Sequence, residues 1–323
     1  MLLSEELWIE AFEKMLLIRR FEEKCAQFYG MGKISGFCHL YIGQEAVAVS
    51  AYLSKSSQDT MITAYRDHGH ALVCGMDPGI VLAELMGKVT GSSKGKGGSM
   101  HIFDIDKGFY GGHGIVGACV SLGTGIAFAH KYKQDGGMSY TFFGDGAANQ
   151  GQTFESFNMA KLWNLPVLYI IENNGYAMGT SVERSTGMTD LYKRGESLGI
   201  EGMRVDGMKI DVLYEAFCEL SHKVRNDNCP YLLEAETYRY KGHSMSDPGF
   251  YRSKEEVAQY KESDPIAYAK EKILEMGIKT ESQLKEIEKS IKDRIKAAVD
   301  FAENSEFPNI LNLREDVFTK KIC

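Results

Sequence analysis

Apolar residues recur at helical spacing near the start of the chain, at Leu7, Phe12, Met15 and Ile18. Ser4 is placed to cap that run and Glu5 and Glu6 fall in its first turn, so residues 4–30 are predicted to form one amphipathic helix. Further on the period changes. Residues 139–143 (SYTFF) and 167–171 (VLYII) are short continuous apolar runs, the pattern of buried strands. Residues 153–163 between them have the length and pattern of a helix, and short connections favour parallel strands joined by a right-handed crossover. Val205 and residues 231–235 predict further strands flanking a helix at 211–224. From Lys254 the pattern turns helical again, with Leu284, Ile287, Ile291 and Ile295 on one stripe that suits packing. The expected fold class is α/β: a doubly wound, mostly parallel sheet with helices on both faces, plus helical N- and C-terminal flanks. Its segments are a helical 1–35, an α/β domain 36–252 and a helical 253–323.

Composition narrows the function. The 323 residues are 44% hydrophobic and 25% charged, an ordinary globular mix that excludes disordered and fibrous classes. A formal charge of −7 lacks the basic face that nucleic acid requires. Seven cysteines, an odd number without a C-x-x-C pair, fit a reducing compartment better than disulfides or a zinc ribbon. The start carries acids where a targeting peptide is basic, and no early apolar run could span a bilayer. These features suggest a cytosolic protein, or one trimmed of a targeting segment, with no membrane partner. Glycine changes the picture most. Of 34 glycines, 17 fall within residues 87–151, so the backbone there is turned sharply or brought close to something.

Two clusters follow the two clearest strands: Gly144-Asp145-Gly146-Ala147-Ala148-Asn149-Gln150-Gly151 and Glu172-Asn173-Asn174-Gly175-Tyr176. In an open parallel sheet ligands bind beyond the carboxyl ends of strands, so Asp145 and Asn174 should converge on one crevice. A carboxylate, an amide oxygen and a nearby carbonyl are hard ligands suited to Mg²⁺, which usually shares its shell with phosphate oxygens. Gly146 lets the chain pass close to a diphosphate, and the helix after it offers N–H groups to anions. A plain strand–turn–helix using Asp and Gly to turn and cap is the competing reading of the first cluster alone. Residues 112–117 (GHGIVG) match G-x-G-x-x-G, which keeps a dinucleotide site open, although residues 106–110 make a poor preceding strand. The run GSSKGKGG (91–98) fails the phosphate-loop spacing. His68, His70, His101 and His113 include an H-x-H pair, but lack the firmer spacing of a closed zinc site.

With GFCHLYIGQEA (36–46), TAYRDHGH (63–70), GKGGSMHIF (95–103), YGGHGIVGA (110–118) and YRYKGHSMSDPG (238–249), the motif GDGAANQG…ENNGYAMGTSVER resembles the thiamine-diphosphate-dependent 2-oxo acid dehydrogenases. Within that family the chain is similar to the alpha subunits that act on pyruvate. The resemblance spans residues 36–249 and implies the diphosphate-binding half of a thiamine diphosphate-binding fold. It implies that Asp145, Asn174 and the carbonyl of Tyr176 hold Mg²⁺ on thiamine diphosphate. Tyr65 and Arg66 then contact the diphosphate, Gly146 and Ala147 donate main-chain N–H groups, and Gly114 and Val116 lie under the cofactor rings. His39 and His243 match the family's active-site histidines, with His243 also beside the cofactor. The glycines of 87–151 become backbone brought close to that cofactor.

The same resemblance implies partners. The carboxylate needed against the aminopyrimidine ring comes from a second domain, which points to a separate beta subunit in an α2β2 assembly. Glu45, in GQEA, is the in-chain alternative. The acetyl group made from pyruvate passes to a lipoyl-bearing dihydrolipoamide acetyltransferase. Acetoin or a branched-chain 2-oxo acid is the alternative substrate, and a nicotinamide-dependent dehydrogenase the more remote alternative. Ser244 lies in a loop that is phosphorylated in related animal enzymes, unless its hydroxyl simply orders the loop through Asp247.

Overall fold

A computed structural model describes residues 3–317. Ser4 Oγ accepts from the Leu7 N–H at 3.3 Å and starts α1 (Glu5–Gly30), which buries Trp8, Phe12, Met15, Ile18 and Phe21. Beyond the loop 31–44 come α2 (Glu45–Ser54), β1 (Thr60–Ala64), α3 (His68–Val73) and α4 (Pro78–Leu85). The glycine-rich stretch then leads to β2 (Phe109–His113), α5 (Ala118–Lys133), β3 (Ser139–Gly144), α6 (Gly151–Leu162) and β4 (Val167–Asn173). A small hairpin follows, β5 (Tyr176–Ala177) with β6 (Thr180–Ser181), and then α7 (Val182–Ser185). The sheet is completed by β7 (Gly202–Asp206), α8 (Ile210–Asp227) and β8 (Tyr231–Glu236), before α9 (Lys254–Glu262), α10 (Pro265–Glu275) and α11 (Glu281–Asn304).

The six long strands run parallel in the order β2-β1-β3-β4-β8-β7. The apolar runs alternate between two cores. Tyr140, Phe142, Leu168, Ile170 and Leu233 face the side covered by α1, α2 and α8, while Phe143, Tyr169, Ile171 and Leu232 face α5 and α6. That is why SYTFF and VLYII read as unbroken apolar runs: a strand covered on both faces has no polar side. Burying each such side chain stabilises the fold by about 1.5–3 kcal/mol. Leu284, Ile291 and Ile295 of α11 join the same core as α1, so the terminal stripe is indeed a packing face.

Two expectations need correction. Residues 106–110 looked too poor for a strand, yet Phe109–His113 is one, at the sheet edge. It pairs through backbone, and its glycines are demanded by neighbours: a Cβ on Gly112 would lie 1.9 Å from the Asp67 carboxylate. The glycines of 91–98 have a partner within the chain. Their loop wraps the buried Glu84 carboxylate, which accepts N–H groups from Ser93, Gly95, Gly97 and Gly98 at 2.7–3.1 Å. An internal carboxylate takes the place that a phosphate takes in a phosphate-binding loop. Between Gly146 and α6 the chain makes one 3₁₀ turn (Ala147–Asn149), and α6 starts at Gly151, two residues before the predicted 153.

Candidate functional site

The chain leaves β1 toward β2 and leaves β3 in the opposite direction toward β4, which makes the β1/β3 boundary a topological switch point. Every strand end around it carries a residue singled out above. Tyr65 and Arg66 follow β1, Gly114 and Val116 follow β2, Asp145, Gly146 and Ala147 follow β3, and Asn174 and Tyr176 follow β4. His243 comes in on the chain beyond β8, and His39 on the loop before α2. Gly146 is needed for close approach: a Cβ there would lie 2.6 Å from Ala177 Cβ in the β5–β6 hairpin.

The rings of His39, Tyr65 and His243 form one cluster. Their centroids are 4.6 Å apart for His39–Tyr65, 5.1 Å for His39–His243 and 5.6 Å for Tyr65–His243. Arg66 is buried beneath them and donates to the carbonyls of Leu40 and His243 at 2.7 and 2.8 Å. No carboxylate neutralises it in these bonds, and burial with the nearby Arg239 cation pulls its guanidinium down to about 10. Burial and the Arg66 cation, with His243 adding to them, push His39 down to about 2; burial, Arg66 and Arg239 push His243 down to about 4. Both histidines are therefore neutral at pH 7, and each has a buried Nδ1 with no hydrogen-bond partner. A buried polar atom left unpaired costs free energy, and two of them beside guanidinium groups that hydrogen-bond no carboxylate suit an anionic ligand with further acceptors and donors.

At the ends of β3 and β4 the oxygens converge. Arg239 Nη1 donates to Asn174 Oδ1 and to the Tyr176 carbonyl, both at 3.2 Å. Beside them Asp145 is only 4% exposed, and burial pushes its carboxyl up to about 6 against the lowering effect of backbone hydrogen bonds and of Arg239. Two neutral oxygens already share one cationic atom, next to a buried carboxylate. This donor set fits a small hard cation such as Mg²⁺. Val116 is 40% exposed and Ile115 74%, so an apolar lip stands open at the same crevice.

Sequence reasoning missed Arg239. Its signal was a charge inside the aromatic run YRY: the side chain is 1% exposed, with Nη2 on Tyr251 Oη at 2.8 Å and on the Met178 carbonyl at 3.3 Å. Glu172 was also passed over. Burial pushes it up to about 7, and it accepts from the Tyr41 hydroxyl. Glu45 is placed away from the role considered for it: it is fully buried, paired with Arg19 and accepting from Gly43 N at 2.9 Å. Ser244 does not bond Asp247 through its hydroxyl. Its Oγ meets Ser246 Oγ at 2.9 Å, while its carbonyl accepts from Asp247 N and Asp247 Oδ2 accepts from His243 N at 2.6 Å.

Of the remaining histidines, His68 bonds Glu22 at 2.9 Å and Ser99, His101 meets the Gly112 carbonyl and His113 the Tyr110 carbonyl. Glu22, Cys25 and His68 lie close enough to share an ion, but His70 of the H-x-H pair is not among them. Among the described residues no helix is long and apolar enough to cross a membrane.

Residues 13–311 match the Dehydrogenase E1 component family. The chain is 57% identical over 316 residues to the pyruvate dehydrogenase E1 component subunit alpha of Rickettsia bellii, covering 98% of this chain and 96% of that protein. Identity to the protein of the same name from Rhizobium meliloti is 55% over 315 residues, 97% of this chain and 90% of the relative. The mitochondrial subunit alpha of Saccharomyces cerevisiae is 47% identical over 326 residues, 98% of this chain and 76% of the relative.

Proposed function

Since the chain belongs to the Dehydrogenase E1 component family, we propose that it is the alpha subunit of a pyruvate dehydrogenase component. With a beta subunit it decarboxylates pyruvate oxidatively, using thiamine diphosphate and Mg²⁺, and passes the acetyl group to the lipoyl domain of a dihydrolipoamide acetyltransferase. The observation that carries this reading is the shared hold of Arg239 Nη1 on Asn174 Oδ1 and the Tyr176 carbonyl beside buried Asp145. Those three oxygens are the ligands that would hold the metal. When bound, thiamine diphosphate would supply a nucleophilic carbanion and an electron sink for decarboxylation of a 2-oxo acid.

This chain's residues supply charge and orientation. Arg66 and Tyr65 would bind the diphosphate, Arg66 as a guanidinium with no carboxylate already hydrogen-bonded to it. Gly146 and Ala147 would present main-chain N–H groups to the same anion, the Gly114 carbonyl would serve the aminopyrimidine, and Val116 would offer the rings an apolar surface. Neutral His39 and His243 hold the substrate by hydrogen bonds, each with a buried ring nitrogen still to be satisfied. The Arg66 and Arg239 field attracts the carboxylate of a 2-oxo acid.

The second subunit is supported by the relatives' own names and by an exposed apolar patch. Phe128 packs on Tyr132 and Trp163, with ring centroids 6.4 and 5.7 Å away, and all three are exposed on α5 and at the end of α6. An α2β2 assembly would cover it. The bacterial relatives favour the cytoplasm as its place, rather than a mitochondrial matrix.

The chain should be purified alone and with its beta subunit, then mixed with thiamine diphosphate, Mg²⁺ and either acetoin or one of a panel of 2-oxo acids in single-turnover assays. Pyruvate should react fastest, and only with both subunits present. Full activity of the isolated chain refutes the split site; preference for a branched-chain 2-oxo acid or acetoin refutes the substrate.

A further inference from the structure

A carboxamide offers an oxygen on one side and an NH₂ on the other, and only the oxygen can serve a cation. The end of β4 fixes where the Asn174 side chain lies. Its oxygen accepts from Arg239 Nη1 and, at 3.4 Å, from the Tyr176 N–H, and its nitrogen end meets a further side chain. Asn174 Nδ2 donates to Gln44 Oε1 at 2.8 Å, between two side chains that are 7% and 1% exposed. Turning the amide over would set NH₂ against Arg239 Nη1 and oxygen against Gln44 Oε1. Three hydrogen bonds would be lost at once, each buried group left unpaired costing about 1–3 kcal/mol.

Gln44 has no other evident reason to be glutamine. It occupies the N-cap of α2, where Ser, Thr, Asn and Asp are preferred, and its side chain makes no capping hydrogen bond. Its backbone N–H is held by the Tyr41 carbonyl at 3.1 Å, which steadies the loop that also bears His39. The adjacent Asn173 is turned elsewhere, with Nδ2 on Glu234 Oε1 at 2.7 Å, so the two amides are oriented separately.

We propose that Gln44 is a positioning residue for the metal site: it holds the nitrogen of the Asn174 amide and thereby turns Oδ1 toward the cation. The proposal rests on the reading that Asp145, Asn174 and the Tyr176 carbonyl hold the cofactor's metal. Gln44 acts on the nitrogen side, so its bond is compatible with a cation on the oxygen side.

The test uses Mn²⁺ as a spectroscopic substitute for Mg²⁺. It is titrated into the chain assembled with its beta subunit and thiamine diphosphate, and free Mn²⁺ is read by electron paramagnetic resonance. Gln44→Met, which keeps length but has no oxygen acceptor, should weaken Mn²⁺ binding about 10–100-fold, the usual effect of removing a group that orients a ligand. Gln44→Glu keeps an acceptor and should stay within about threefold of the parent on that basis. In an Asn174→Asp background, where both ends of the side chain are oxygens, Gln44→Met should cost nothing further. Thermal midpoints without metal check folding, and Gln44→Leu substitutes if Gln44→Met does not fold. Parent-like Mn²⁺ affinity in Gln44→Met, or an undiminished penalty in Asn174→Asp, overturns the role of Gln44. Asp145→Ala separates the two levels: if it too binds Mn²⁺ like the parent, the metal site itself is misassigned and the proposal falls with it.

Discussion

Asp145→Asn should stabilise the protein free of cofactor while removing its response to the cofactor. The Asp145 carboxyl is pushed from its ordinary 3.8 to about 6, chiefly by burial. Ionising it inside the fold therefore costs about 3 kcal/mol more than in the unfolded chain. The folded value is the raised one, so the penalty is fully present above pH 6. It declines as pH falls through 6 and is gone below 3.8. Asparagine keeps the size and an oxygen acceptor for the backbone N–H groups, and it carries no charge. We expect the variant's thermal midpoint without ligands at pH 7.5 to rise by a few degrees, at roughly 2–4 °C per kcal/mol for a chain somewhat smaller than this. The advantage should shrink to about half at pH 5. Adding thiamine diphosphate and Mg²⁺ should reverse the order, because ligand at about 1,000 times its Kd adds about 4.1 kcal/mol to the parent and little to the variant. Scanning calorimetry at both pH values, with and without ligands, reads all of this. An Asp145→Asn protein less stable than the parent at pH 7.5 without ligands refutes the reasoning, as does an advantage equal at pH 5 and 7.5.

His70 is fully buried against Tyr41 and Phe142, neither ring nitrogen makes a hydrogen bond, Nε2 lies 3.6 Å from Glu172 Oε1, and burial pushes it down to about 3. The unfolded chain takes up that proton first, so stability is lost as pH falls from about 6.5 toward 3, by at most about 1.4 kcal/mol per pH unit. His70→Leu should flatten this limb in urea titrations at pH 6 and 4. Glu45→Ala breaks the buried pair with Arg19 and should cost about 3 kcal/mol or more in urea unfolding. Turnover per folded molecule of the assembled protein should be unchanged, since Glu45 serves the fold; a large selective fall in kcat would restore a catalytic role. Gly111→Ala places a Cβ 2.0 Å from Phe103 at a φ of +83° and should destabilise by about 3 kcal/mol, seen as a lower urea midpoint.

Legibility in the sequence followed how local the cause was. SYTFF, VLYII and the capped start of α1 are governed by burial and capping within a few residues, and they stand in the fold where their patterns put them. The edge strand β2 was illegible because its two glycines contribute no strand propensity; Phe103 and Asp67 hold it from outside. The glycine run at 91–98 was misread for a similar reason. Its N–H groups do surround an anion, but the anion is Glu84, and composition cannot tell an internal carboxylate from an external phosphate.

What the sequence determined by itself is the α/β class, the parallel pairing of β3 with β4, and the residues at their carboxyl ends, because strand burial and turn chemistry act over short distances. The tertiary structure decided the rest of the site. Only folding brings Gln44, 130 positions before Asn174, onto that residue's nitrogen, and Arg239, 65 positions after, onto its oxygen. Only folding shows that Glu45 is committed to Arg19 while His39 and His243 keep a buried ring nitrogen unpaired. Those distinctions depend on which polar atoms are satisfied once water is excluded, and that is a property of three-dimensional packing that no spacing along the chain encodes.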